Sequence, residues 1–193
     1  MIWDKISKEN LLFILVDYQE KFFPLIKDKY RETAQKNIML LVRMFGHLGI
    51  PMIGTDHYRK GLGLTEQEVL DHWSGYSFKD KITFSAFGSE EFRKDFAENE
   101  RDIAVVCGLE THICVLQTVL DLRRKGKEVL LISDGCLSST TLRWHNGLDL
   151  AKEAGAHIMN AETLIFYLLE RAGTPDFKFL VKLLKDSSEA ESQ

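Results

Sequence analysis

Short runs of apolar residues alternate along this chain with stretches whose apolar positions recur at helical spacing. Leu11-Leu12-Phe13-Ile14-Leu15-Val16 is unbroken and ends at Asp17, the pattern of a strand buried on both faces. Similar runs predict strands at 50–54, entered through Pro51, and at 81–84, 103–107, 129–133 and, more weakly, 156–159. The spacing between them predicts helices at 30–48, stopping near Gly49, and at 90–97, 113–125, 142–154 and 161–171. A further helix at 176–185 is expected to pack on the outside. Strands separated by helices imply right-handed crossovers and an α/β fold, a parallel sheet with helices on both faces. The reading is one domain over 1–193, with its core at about 11–170 and a polar, frayed tail at 187–193.

In such a sheet, ligands gather beyond the carboxyl ends of the strands. Asp17 follows the first predicted strand, Lys81 lies in or beside the third, and Cys114 follows the fourth after a turn begun by Gly108. Topology can therefore bring them to one rim. Cys114 falls in the first turn of a predicted helix, where unpaired N–H groups and the helix dipole favour an anion. Helix N-termini and nearby cations lower a cysteine pKa from about 8.5 to roughly 3.5–7.5, and the same N–H groups suit an oxyanion. A lone cysteine is more often a small buried hydrophobe; it is the position that favours a nucleophile. Lys81 is placed to stabilise the thiolate and the charge of the reacting group, with Lys79 as a rival. Asp17 would be costly to bury alone. It reads equally as a cap or as the group that takes the thiol proton and returns it to a leaving amine.

Composition narrows the field. The 193 residues, 45% of them hydrophobic, suit one folding unit. A net charge of −4 gives no reason to expect nucleic acid or an anionic membrane as partner. Arg123, Arg124, Lys125 and Lys127, the densest basic cluster, read as a solvated helix end. No run approaches the roughly 18 apolar residues of a membrane span, and residues 1–10 lack a secretory pattern, so a soluble, cytoplasmic protein is expected. Cys107, Cys114 and Cys136 make an odd count without CxxC spacing, against a disulfide framework or a four-thiolate zinc site. Cys107 reads as core, and Cys136 lies in a polar turn. Leu120 stands where a Cys-x5-Arg phosphatase needs its arginine, which excludes that class.

Three segments carry a more specific signal. Leu15-Val16-Asp17-Tyr18-Gln19, Lys81-Ile82-Thr83-Phe84-Ser85-Ala86-Phe87 and Gly108-Leu109-Glu110-Thr111-His112-Ile113-Cys114-Val115 resemble the isochorismatase-like cysteine hydrolases in order and spacing. Gln117-Thr118 and the Ser133-Asp134-Gly135 turn extend the likeness, which runs from about 11 to 163. The resemblance implies a Rossmann-like, three-layer α/β/α fold around a six-stranded, mainly parallel sheet. It implies Asp17, Lys81 and Cys114 as the catalytic group, Lys81 being preferred to Lys79 by its spacing to Ser85-Ala86-Phe87. It also implies a cis peptide at Leu109–Glu110 and an oxyanion hole formed by the backbone N–H groups of Glu110 and Cys114.

The implied reaction is thiolate attack on a small amide, carbamoyl or ureido-type substrate through a thioester, with no cofactor, in a dimer or tetramer. Nicotinamidases of this family bind a divalent metal through an Asp-x-His pair; here His57 and Arg59 stand at those positions, so no metal is expected. Asp56, His57 and His72 read as surface-loop residues. Phe22, Trp73 and Phe84 are candidates for an aromatic pocket wall, and His112 either lines the site or packs its loop. Two rivals remain: a catalytically silent binding protein that keeps the fold, and a redox-sensing thiol protein that pairs Cys114 with Cys136.

Overall fold

The computed structural model describes residues 1–190, without the side chains of 28, 29 and 187–190. Six strands form one sheet in the order β3-β2-β1-β4-β5-β6. They are β1 (Leu11–Val16), β2 (Met52–His57), β3 (Lys79–Lys81), β4 (Ile103–Leu109), β5 (Glu128–Leu137) and β6 (His157–Met159). Every pairing is parallel, so the mainly parallel sheet expected is wholly so. The central strands β1 and β4 are buried along their whole length, as their unbroken apolar runs require.

Helices α1 (Asp28–Leu48), α3 (Gln67–His72), α7 (Ala161–Leu169) and α8 (Pro175–Ala190) pack together on one face. Helices α4 (Glu90–Glu98), α5 (Leu116–Arg124) and α6 (Thr141–Glu153) cover the other. Gly49 closes α1 with φ 70°, and its N–H caps the last turn, the left-handed conformation that glycine adopts freely. The expected polar tail begins inside α8; residues 191–193 lie outside the described residues. None of the described helices is long and apolar enough to cross a membrane.

The strand ends that shape the rim differ from the apolar pattern. β2 runs to His57 rather than 54, because Thr55 and Asp56 are buried and pair with β3. β3 ends at Lys81, and Ile82 and Phe84 turn outward, 80% and 52% exposed. The chain bends there because the carbonyls of Thr83 and Phe84 both accept from the Lys81 ammonium, each at 3.0 Å. Beyond β2 the chain forms the short α2 (Arg59–Leu62) and α3, whose last residue is His72, read as a surface-loop residue. The helix expected from 113 opens instead with a π-helical turn, Thr111–Val115, before α5.

Candidate active site

The carboxyl ends of β1, β2, β3 and β4 meet at one point. Asp17 follows β1 with φ 51°, a left-handed conformation uncommon for a residue with a side chain. Its N–H donates to the Thr55 carbonyl at 2.9 Å, and its own carbonyl accepts from Gln19 N–H at 2.9 Å. The turn leaves the carboxylate fully buried. Oδ1 accepts from the Thr55 hydroxyl at 2.7 Å, and Oδ2 accepts from Lys81 Nζ at 2.5 Å. Neither side chain of that ion pair touches solvent. Burial still pushes the Asp17 carboxyl above the usual carboxylate range, with the Lys81 charge and these hydrogen bonds opposing the rise.

Cys114 reaches the same point from the π-helical turn and is 6% exposed. Ligand atoms of Asp17, His57 and Cys114 lie within 4.8 Å of one another. The thiol was expected to be acidified by the helix start and by Lys81. Instead its pKa is pushed up to about 12, first by burial and then by the Asp17 carboxylate, and Lys81 offsets only part of this. The resting state is therefore a neutral thiol hydrogen-bonded beside a carboxylate–ammonium pair. A thiol so placed needs a base in contact to act as a nucleophile near neutral pH, and Asp17 is in contact.

The loops are tied to this centre. Gly108, at φ 127°, passes so close to β1 that a Cβ there would stand 2.0 Å from the Val16 carbonyl oxygen. The next peptide, Leu109–Glu110, is cis. The Glu110 carbonyl accepts from the N–H groups of Ile113 and Val115 at 3.0 and 3.2 Å, which folds the turn around Cys114. Thr118 Oγ1 donates to the Cys114 carbonyl at 2.8 Å and accepts from Ala86 N–H at 3.0 Å. Ser85 donates to Asp121 at 2.6 Å. The Ser85-Ala86-Phe87 segment thus anchors the Lys81 loop to the cysteine helix.

The remaining candidates divide. Lys79 sits 3.1 Å from Asp95, which leaves Lys81 as the lysine on Asp17. Phe84 reaches the rim and stacks on His57, ring centroids 5.6 Å apart. Phe22 lies half-buried against the core on the turn after β1. Trp73 does not join them: it packs between Phe13 and Phe78 and donates to the Tyr76 carbonyl, near the opposite, N-terminal half of β1 and β2. Its large ring serves the core because α3 turns it under the sheet. His112 Nδ1 lies 3.1 Å from Ser138 Oγ and 3.4 Å from Glu110 Oε2. Both contacts use one ring nitrogen, so they form no relay; burial lowers the His112 pKa against the pull of Glu110.

Asp56 is buried and holds Thr65 at 2.6 Å and Arg59 Nε at 3.0 Å, and His72 Nδ1 lies 3.0 Å from the Glu68 carbonyl on α3. Those two are structural. Asp56, read as a surface-loop residue, is instead buried in β2, and the same reading misplaced His57. His57 ends β2 directly beside Lys81 in register and lies 3.5 Å from Lys81 Nζ through Nδ1. Strand alternation was the available signal: Thr55 touches Asp17, so His57, two residues on, shares its face. A carboxylate, an imidazole and a thiol could together hold a divalent ion, but Lys81 Nζ already stands among them. A metal would have to displace a buried ammonium. The donor set does not fit one.

Comparison with known proteins agrees with this architecture. The isochorismatase domain model matches residues 11–163. A secreted isochorismatase effector, Isc1 of Phytophthora sojae, is 37% identical over 144 residues, covering 72% of this chain and 68% of its own. The structure of MAR1 ribonuclease from Caenorhabditis elegans superposes with TM-score 0.80 at 29% identity, covering 92% of this chain and 91% of that one. The Escherichia coli YcaC protein, described as an octameric hydrolase of unknown specificity, shares the fold with TM-score 0.85 at 18% identity over 97% and 96% of the two chains. The match spans β1 to α7 and so includes every strand of the sheet: the chain belongs to the isochorismatase domain family.

Proposed function

We propose that this chain is a cysteine hydrolase of small amide, carbamoyl or ureido-type substrates. The observation that carries the reading is the buried contact of Asp17, Lys81 and Cys114 at the carboxyl ends of the strands. In the proposed reaction, Cys114 Sγ attacks the substrate carbonyl carbon as its proton passes to Asp17. The negative oxygen is received by the backbone N–H groups of Glu110 and Cys114. Asp17 then gives the proton to the leaving nitrogen as the C–N bond breaks, leaving a thioester on Cys114. A water molecule, surrendering a proton to Asp17, attacks the thioester carbon; the acid departs and the thiol is restored.

The high resting pKa of the thiol is compatible with this sequence, because proton transfer accompanies attack instead of preceding it. Lys81 opposes the burial-driven rise of the Asp17 pKa and so favours the ionised form that serves as base. The ion pair leaves the centre without net charge, which suits an uncharged substrate end. A free-thiol nucleophile is also at home in a reducing compartment such as the cytoplasm, although the Phytophthora sojae relative is a secreted protein. Assembly into a homo-oligomer finds support in the octameric Escherichia coli structure.

A second reading, RNA cleavage, draws on the Caenorhabditis elegans relative; an overall charge of −4 offers phosphates little attraction. One experiment separates the two. Simple amides, carbamoyl compounds, ureido acids and a short RNA are offered to the wild-type chain and to Cys114→Ala. Release of amine or ammonia by the wild type alone supports the hydrolase. RNA cleavage that survives Cys114→Ala, with no amide turned over, would replace it.

A further inference from the structure

We propose that His57 is a substrate-binding residue of this site, donating a hydrogen bond from Nε2–H to an acceptor beside the scissile carbon. The inference rests on the hydrolase reading and extends it to substrate recognition. It begins from a count of donors. A lysine ammonium has three N–H groups and no acceptor. Those of Lys81 are taken by Asp17 Oδ2 at 2.5 Å and by the Thr83 and Phe84 carbonyls at 3.0 Å each. Lys81 can therefore act on a substrate through its charge, but it has no donor left to offer. Asp17 is an acceptor and is fully buried.

His57 is different in both respects. It is only partly buried, and one of its ring nitrogens lies within 4.8 Å of an Asp17 carboxylate oxygen and of Cys114 Sγ. Its Nδ1 is turned to the Lys81 ammonium at 3.5 Å. With the three Lys81 N–H groups already taken, it is the positive charge that disfavours a further N–H pointed at it, so the facing nitrogen keeps its lone pair and the ring proton lies on Nε2. The position is also fixed on every side. Gln19, fully buried, grips the His57 backbone with both ends of its amide: Oε1 accepts from His57 N–H at 2.7 Å, and Nε2 donates to the His57 carbonyl at 3.2 Å. Phe84 stacks on the imidazole with an interplanar angle of 22°. Tyr58 N–H, the next residue's, donates to the Lys81 carbonyl at 2.7 Å. A surface-loop histidine needs none of this support; a ring that must present one N–H in one direction does.

The substrate class follows. The group next to the reacting carbon carries a hydrogen-bond acceptor, as an amide or ureido oxygen does, and a purely hydrocarbon neighbour is bound less well. Two neutral alkylating agents test this on Cys114 itself. Iodoacetamide carries a carbonyl beside the reacting carbon, and iodoethane carries none. In both, the S–C bond forms as the C–I bond breaks, iodide leaves, and the thiol proton goes to Asp17. Modification rates at Cys114 are measured by peptide mass spectrometry for wild type, His57→Leu and His57→Gln. The expected result is a fall of roughly three- to tenfold in the iodoacetamide-to-iodoethane rate ratio in His57→Leu, the effect of one hydrogen bond. His57→Gln, which keeps an N–H, should recover most of it. An unchanged ratio in His57→Leu overturns the proposal, as does a parallel loss of both rates or a ratio that His57→Gln fails to recover. Absence of any Cys114 alkylation in the wild-type chain would remove the hydrolase reading and this one with it; an unchanged ratio in a reactive chain removes this one alone.

Discussion

Replacing Lys81 by methionine should reveal how tightly the site is bound to the stability of the fold. The substitution roughly keeps the length of the side chain but removes the charge that faces Asp17 at 2.5 Å, in a pair neither of whose side chains reaches solvent. Breaking a buried ion pair from one side costs about 3–5 kcal/mol, because the other charge stays in the interior uncompensated. The carbonyls of Thr83 and Phe84 also lose their donor, but both residues are exposed and water can replace it. The cost should therefore come almost entirely from Asp17. Removing both charges in Asp17→Asn/Lys81→Met should recover much of the loss, since an uncharged pair of similar shape has no ion to desolvate.

The assay is urea denaturation of the four proteins at near-neutral pH, read as a double-mutant cycle. The account expects a coupling energy of at least about 2 kcal/mol. Single costs that simply add, with coupling below about 0.5 kcal/mol, would refute the reasoning. The pH dependence supplies a second sign. Asp17 already has its folded pKa raised, and loss of the ammonium raises it further. A raised folded pKa gives a contribution to stability that is present in acid and lost as pH rises through the folded value. The Lys81→Met deficit should thus shrink as pH falls.

Three further outcomes are expected. The Cys114 thiol titrates near 9.0 when unfolded and at about 12 in the fold, so its contribution to stability is complete below 9.0 and is lost as pH rises towards 12; Cys114→Ala should lose less stability over that window in urea titrations, by an amount on the order of a few kcal/mol. Asp17→Asn removes the second-largest cause of the raised thiol pKa while keeping Lys81, so absorbance titration of the thiolate should show Cys114 ionising at lower pH even as amide turnover is lost. Gly108→Ala places a methyl 2.0 Å from the Val16 carbonyl oxygen at φ 127°; thermal melting should show a destabilisation above about 4 kcal/mol, or no folded protein.

The central strands were legible because burial on both faces leaves an unbroken apolar signature, as at Leu11–Val16. Asp17, Lys81 and Cys114 could be brought to one rim because topology alone orders the strand ends. The edges of the sheet were harder. β2 continues through the polar Thr55-Asp56-His57, where hydrogen bonds with Asp17, Thr65 and Gln19 stand in for apolar packing. That disguised His57 as a loop residue. Trp73 erred in the other direction, since an aromatic residue near the site in sequence carries no mark of which end of the sheet it faces. The thiol pKa also ran against expectation, because a helix start and a nearby lysine are local signals, whereas burial and the charge of Asp17 appear only when the chain has folded.

The central claim is that Cys114 carries the acyl group during turnover. It is tested most directly by acid-quenching the wild-type chain milliseconds to seconds after mixing with an amide it hydrolyses and weighing the Cys114 peptide. The account predicts a mass increase equal to the acyl fragment, rising and then decaying as substrate is consumed. Continued hydrolysis with an unmodified Cys114 peptide at every time point would contradict it.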